Sequence, residues 1–135
     1  QLDRYPTLLE RRKEIIKKYD EACDELGVIH LQHYGKDFAS SGHLYLTRIP
    51  GARDEQRREI ITKLAERGVN TNVHYKPLPM MTAYKNMGWD IKNFPNAYAY
   101  YENLITLPLH TKLSDEDVEY VTENFKAVVS AYTSK

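Results

Sequence analysis

The sequence predicts an α/β domain in which a small sheet is covered by helices. Three observations predict it: apolar residues recur at helical spacing in long stretches, short alternating runs lie between them, and single glycines and prolines mark the joints. The 135 residues fit one domain, long enough to bury a core without staples. Lysine plus arginine number 19 and aspartate plus glutamate 19, so the net charge is zero. That argues against a nucleic-acid binder, which needs a basic footprint to neutralise phosphates. No apolar run approaches a membrane span, and the N-terminus lacks the basic-then-apolar layout of a signal peptide. Cys23 is the single cysteine and cannot form an internal disulfide; the expected compartment is the reducing cytoplasm. Tyrosine is abundant, eleven against three phenylalanines and one tryptophan, which suits the walls of an interface or a polar-ligand cleft.

The first element is a helix from Tyr5 to Leu26. Leu2, Tyr5, Leu8, Leu9, Ile15, Ile16, Tyr19, Ala22, Cys23 and Leu26 fall on one face, and Gly27 stops it. Glu10, Arg11, Lys13, Glu14, Lys17 and Lys18 on the other face read as solvated. The chain opens at Gln1 straight into this amphipathic pattern, which reads like a cut inside a larger protein. Val28 to Gln32 is a short strand and Tyr34 to Gly42 a loop. His43 to Ile49 alternates as a clearer strand, with Leu44, Leu46 and Arg48 on one side and His43, Tyr45, Thr47 and Ile49 on the other. After the Pro50-Gly51 turn, a helix runs from Asp54, as N-cap, to Arg67, burying Ile60, Ile61, Leu64 and Ala65 before Gly68. Met80 to Met87 is a short helix ended by Gly88, and Phe94-Pro95 opens another that reaches Asn103. Leu104 to Leu107 is an apolar strand stopped by Pro108. The last helix has Ser114 as N-cap and acidic residues 115–117 where the helix dipole favours them; Val118, Val121, Phe125, Val128 and Tyr132 form its buried stripe.

Asn70 to Met81, N-T-N-V-H-Y-K-P-L-P-M-M, is the stretch with most chemical promise. It begins as an alternating strand with Thr71 and Val73 pointing one way and Asn70, Asn72 and His74 the other. Pro77 and Pro79 then stiffen the loop, so His74 and Tyr75 stand at a strand end beside a rigid turn. Such a pair can serve a cleft, and it is also a common structural pair. Other motifs carry less. His30 and His33 lack supporting ligands at metal spacing and would face opposite sides of a strand. No glycine-rich phosphate loop or G-x-S-x-G turn is present, and Cys23 lies on a buried face. Lys76, in its prolyl loop, is left in water and protonated, a poor Schiff-base lysine.

Three runs in order carry a resemblance: N-V-H-Y-K-P-L-P-M-M-T-A-Y, F-P-N-A-Y-A-Y-Y-E-N-L-I-T-L-P-L-H and L-S-D-E-D-V-E-Y-V. They resemble the C-terminal part of the DegT/DnrJ/EryC1/StrS family, pyridoxal-phosphate-dependent aminotransferases that act on nucleotide-linked keto-sugars. The opening Q-L-D-R-Y-P-T-L-L-E-R-R-K-E-I-I-K-K-Y is similar to the long helix linking that family's two domains, and S-G-H-L-Y-L-T-R-I to the first strand of its small domain. The resemblance covers essentially the whole chain. It implies an α+β unit with a small, largely antiparallel sheet covered by helices, the C-terminal small domain of a fold-type I pyridoxal-phosphate-dependent transferase. Residues 1–27 would be the linking helix and 28–135 the small domain, with the cofactor-binding domain, its Schiff-base lysine and most phosphate-binding groups upstream.

The implied parent moves an amino group from an amino acid, usually glutamate, to the keto-sugar, acts as a homodimer, and holds pyridoxal 5'-phosphate, with none expected on this piece alone. The piece by itself would be inactive and would form one wall of the sugar-nucleotide cleft. The resemblance assigns no catalytic residue here and carries substrate contacts onto His74 and Tyr75, with Tyr84 and His43 behind them. Many members have a histidine where this chain has Pro79, in the pattern H-Y-x-P-L-H, which makes that wall less polar here. Two alternatives stand beside the aminotransferase: a sugar dehydratase of the same family, whose difference lies in the upstream part, and a free-standing, non-catalytic binding module.

Overall fold

The computed structural model describes residues 2–133. Five helices, α1 (Tyr5–Leu26), α2 (Asp54–Glu66), α3 (Thr82–Asn86), α4 (Pro95–Tyr101) and α5 (Asp115–Val129), accompany strands β1 (Ile29–His30), β2 (Tyr45–Arg48) and β3 (Leu104–Leu107). The sheet has the order β1-β2-β3 and both pairings are antiparallel, as expected. Tyr45 stands opposite Leu107, and Arg48 opposite Leu104. The alternation read from His43 to Ile49 holds from Leu44 on: Tyr45, Thr47 and Ile49 are buried, while Leu44, Leu46 and Arg48 are half-buried; His43, expected on the buried side, precedes the strand and is exposed.

The core forms where α1, α2 and α5 meet one face of the sheet. Ile15, Ile16, Tyr19 and Cys23 from α1 join Ile60 and Leu64 from α2 and Val118, Val121, Phe125 and Val128 from α5. Helix ends are built as the residue types dictate. Ser114 Oγ accepts from the Asp117 N–H (3.0 Å) and Asp117 Oδ2 accepts from the Ser114 N–H (2.9 Å), a reciprocal capping box that holds the Asp117 carboxyl below its usual range. Gly27, at φ 67°, takes the left-handed turn after α1, and the next N–H, of Val28, donates to Cys23 O at 2.8 Å.

Several expectations are corrected. The apolar stripe of α1 is not buried throughout: Leu2, Tyr5 and Leu8 are exposed, because sheet and α5 cover only its C-terminal half. Arg11 is not simply solvated. It donates to Leu113 O (2.7 Å) and Asp115 Oδ1 (2.9 Å), fastening α1 to the start of α5. Asp54 is the first residue of α2 and not its cap; its carboxylate pairs with Arg57 and Arg58, while Gln56 Oε1 accepts from the Arg53 N–H at 2.9 Å. The Met80–Met87 helix divides into a 3-10 turn, Leu78–Met80, and α3, with Met81 extended between them. Helix α4 stops at Tyr101, since Asn103 turns into β3 to accept from Arg48 Nε at 3.0 Å. Tyr132 lies beyond α5 but still packs on the core. His30 and His33 do not face opposite ways: β1 ends at His30, and both rings stack with Tyr45, at 6.2 and 5.6 Å between centroids.

Candidate functional site

The Asn70–His74 run makes no regular strand. One residue of it, Asn72, pairs with Thr106 on the free side of β3: the Asn72 N–H donates to Thr106 O (3.1 Å) and the Thr106 N–H to Asn72 O (2.7 Å). Asn72 Oδ1 accepts from the next N–H, of Val73, at 2.7 Å, and the pairing with β3 is a single rung. The side-chain alternation survives nonetheless. Asn70, Asn72 and His74 all line a cavity of about 160 Å³, together with His43, Thr106 and the 107–109 backbone run.

Tyr19 supports this cavity from behind, its buried hydroxyl donating to Pro108 O at 2.9 Å. His74 Nδ1 lies 3.0 Å from the Thr106 hydroxyl oxygen. Tyr75 sits edge-on to the His74 ring, centroids 4.6 Å apart, and is 68% exposed. In the double-proline loop Pro77 O accepts from the Met80 N–H (2.9 Å), closing a 3-10 turn in which Pro79 is buried.

The structure therefore brings two of the four candidate residues, His43 and His74, onto one cavity, and sets Tyr75 against the His74 ring without lining it. Tyr84 is elsewhere. It packs on Trp89 (centroids 6.4 Å), which stacks on Phe94 (5.5 Å), in a small aromatic cluster that does not line the cavity. Gly88, at φ 87°, makes the cluster possible by turning the chain after α3, so that the Trp89 N–H reaches Tyr84 O at 3.1 Å. Sequence reasoning missed Thr106, Asn70 and Asn72 as parts of one site. A signal existed for Thr106, the one polar residue of L-I-T-L, a strand that is buried at every position and so requires a partner for the hydroxyl. Cys23 is no rival nucleophile: burial pushes its thiol up to about 12.

Residues 1–126 match the DegT/DnrJ/EryC1/StrS aminotransferase family. The chain belongs to that family. Its relatives include the spore coat polysaccharide biosynthesis protein SpsC of Bacillus subtilis, 32% identical over 96% of this chain and 34% of the relative. A UDP-4-amino-4,6-dideoxy-N-acetyl-beta-L-altrosamine transaminase of Campylobacter jejuni is 28% identical over 96% of the chain and 34% of that enzyme. Among solved structures, the Streptococcus pneumoniae protein Spr1654, assigned as a sugar aminotransferase, superposes with a TM-score of 0.93 and 55% identity. The match covers 98% of this chain and 33% of that one, and that protein is also known in forms with pyridoxamine phosphate and pyridoxal phosphate. This DegT/DnrJ/EryC1/StrS chain thus spans about a third of the length of the curated relatives it matches.

A lysine that bonds to the aldehyde of pyridoxal phosphate must reach its neutral form, which burial favours. Among the described residues every lysine is exposed except Lys126, half-buried in an ion pair with Glu25. These residues do not fit the covalent anchor of that cofactor.

Proposed function

We propose that this chain is the small, C-terminal domain of a pyridoxal-phosphate-dependent aminotransferase, with residues 1–27 as its linking helix and 28–135 as the domain proper. The parent enzyme moves an amino group from an amino acid, with glutamate the expected donor, to a nucleotide-linked keto-sugar, and works as a cytoplasmic homodimer. Pyridoxal phosphate, bound in the parent, supplies the amino-transfer chemistry. This chain supplies one wall of the sugar-nucleotide cleft and is inactive alone. The reading is supported above all by the convergence of His43, Asn70, Asn72 and His74 on one cavity beside exposed Tyr75. The relatives' names agree with it, since they include a sugar-nucleotide transaminase and a polysaccharide biosynthesis protein. Among the described residues no helix is long and apolar enough to cross a membrane.

The side chains perform binding and orientation. Imidazole and amide N–H groups donate to sugar hydroxyl, keto or phosphate oxygens, and the amide oxygens accept from sugar hydroxyls. Tyr75 adds a hydroxyl and a ring beside His74, while Pro79, which has no N–H, keeps the floor of the loop apolar. Tyr84, remote from the cavity, would contact only the distal part of a long substrate.

The test uses the product of the complete reading frame, purified with pyridoxal phosphate and followed by visible absorption before and after borohydride. A yellow species that borohydride bleaches and fixes to a lysine supports the aminotransferase. Bound cofactor that borohydride cannot fix points to the dehydratase relative, and no cofactor at all sinks both enzyme readings in favour of a binding module. In the aminotransferase, His74→Ala should raise KM for the nucleotide sugar about tenfold or more, the loss of one good hydrogen bond.

A further inference from the structure

Thr106 is buried in a strand whose other members, Leu104, Ile105 and Leu107, are buried and apolar. Its N–H and C=O are both spent on Asn72. Its hydroxyl oxygen has one hydrogen-bond partner among the described residues, His74 Nδ1 at 3.0 Å. The other ring nitrogen of His74, Nε2, has no hydrogen bond among the described residues and is not one of their buried, unpartnered polar atoms, so it is the accessible polar atom of that ring.

A neutral imidazole carries one N–H and one lone pair, and the two tautomers place different demands on Thr106. With the proton on Nδ1, the ring donates to the hydroxyl oxygen, and the hydroxyl's own proton is left without an acceptor in a buried position. With the proton on Nε2, the hydroxyl donates to Nδ1, and only spare lone pairs go unused. A buried donor left unpaired is the costlier defect, since an oxygen already in use tolerates an idle lone pair. The double backbone pairing to Asn72 fixes the backbone of Thr106 against the chain two residues before His74, which keeps hydroxyl and ring within reach of each other.

We propose that Thr106 is a positioning residue that holds His74 in the Nε2–H tautomer, so that the cavity presents an N–H donor. The group it recognises is then an acceptor oxygen of the sugar nucleotide, and not a donor such as an amine. The substrate half of this inference rests on the aminotransferase reading above; the tautomer half does not.

The experiment takes the full-length protein, labelled with nitrogen-15 at histidine, and reads the tautomer of His74 from its long-range proton–nitrogen couplings above the imidazole titration. The wild type is expected to show the Nε2–H form alone. Thr106→Val, of equal size but without the hydroxyl, is expected to give a mixture of tautomers, and Thr106→Ser to restore the single form. A wild-type His74 protonated on Nδ1 overturns the proposal whatever the variants do, so a valine variant that fails to fold does not rescue it. A valine variant that folds and keeps the pure Nε2–H form also overturns it. In turnover, Thr106→Val should raise KM for the nucleotide sugar several-fold, by about the worth of one neutral hydrogen bond, with kcat within about twofold. Serine should again restore it. An unchanged KM beside the expected tautomer shift would sink His74 as a substrate contact and leave the positioning role standing.

Discussion

Two regions of this molecule are held together by different forces. The sheet with α1, α2 and α5 is held by apolar burial: Tyr19, Tyr45, Phe125, Ile60 and Ile105 are fully inaccessible, in one continuous cluster. The segment from Leu78 to Tyr101 buries only Pro79, and exposes Leu78, Met81, Met87, Trp89, Tyr98 and Tyr100. Its attachment comes from arginines that cap the end of α4. Arg57, itself buried, donates to Tyr101 O and lies 4.3 Å over the Tyr101 ring. Arg48 donates to Ala99 O at 3.1 Å and lies 4.7 Å over the Tyr100 ring. Orphan carbonyls and the negative pole of a short helix are thus met by guanidinium groups. The lesson is that a segment with almost no core of its own can still be placed accurately, if the few polar groups at its end are answered from the rigid part.

The comparison breaks first in the core. Phe125→Ala should cost about 3–5 kcal/mol, the range for emptying a fully packed aromatic site. Urea unfolding followed by circular dichroism measures it, and a loss below 1 kcal/mol would mean that the core is not where the stability resides. Arg57→Met should come next. It keeps the apolar stem but leaves the Tyr101 carbonyl unanswered, for a loss of about 1.5–3 kcal/mol, the worth of a hydrogen bond to a charged group. Hydrogen exchange sharpens this: amides of α4 should lose protection in the variant while those of α5 keep theirs. Equal losses in both helices would show that the two regions are not separable.

Trp89→Ala should cost less, about 1 kcal/mol, because the indole is 47% exposed and contributes mainly its contacts with Tyr84 and Phe94. A cost matching that of Phe125→Ala would abolish the distinction between the regions.

The smallest effect concerns pH. His33 is buried, its Nδ1 3.1 Å from Ser40 Oγ, and burial lowers its pKa from the ordinary 6.5. Asp20 opposes that shift and His30 adds to it. The unfolded chain therefore binds a proton that the folded one resists. Stability is full above about 6.5 and declines as pH falls through that value towards the lower folded pKa. His33→Gln should flatten the stability profile below about pH 6.5, read from urea midpoints, whereas an unchanged slope would assign the pH dependence to other groups.

Much of the fold was legible because periodicity reports which face of an element is buried. The α1 and α5 stripes, the β2 alternation and the Ser114 cap all rest on local spacing, and they are present apart from the exposed start of α1, Tyr132 beyond the end of α5 and exposed His43 before β2. The candidate site was half legible. The Asn70, Asn72 and His74 alternation could be read from five consecutive residues, and all three line the cavity although no regular strand forms. Thr106 lies more than thirty positions away, and no local pattern links a strand's hydroxyl to a distant imidazole.

Sequence alone determined the order of the main helices and of strands β1 to β3, most of the buried faces of β2 and α5, and the family resemblance, because each depends on neighbours within a few residues. Only tertiary structure decided that Tyr84 stands apart from His74, that Arg11 and Arg57 work as fasteners, and that Thr106 meets His74. Those facts depend on which carbonyls and hydroxyls remain unpaired once the elements pack, and that is settled by contacts between residues far apart in the chain.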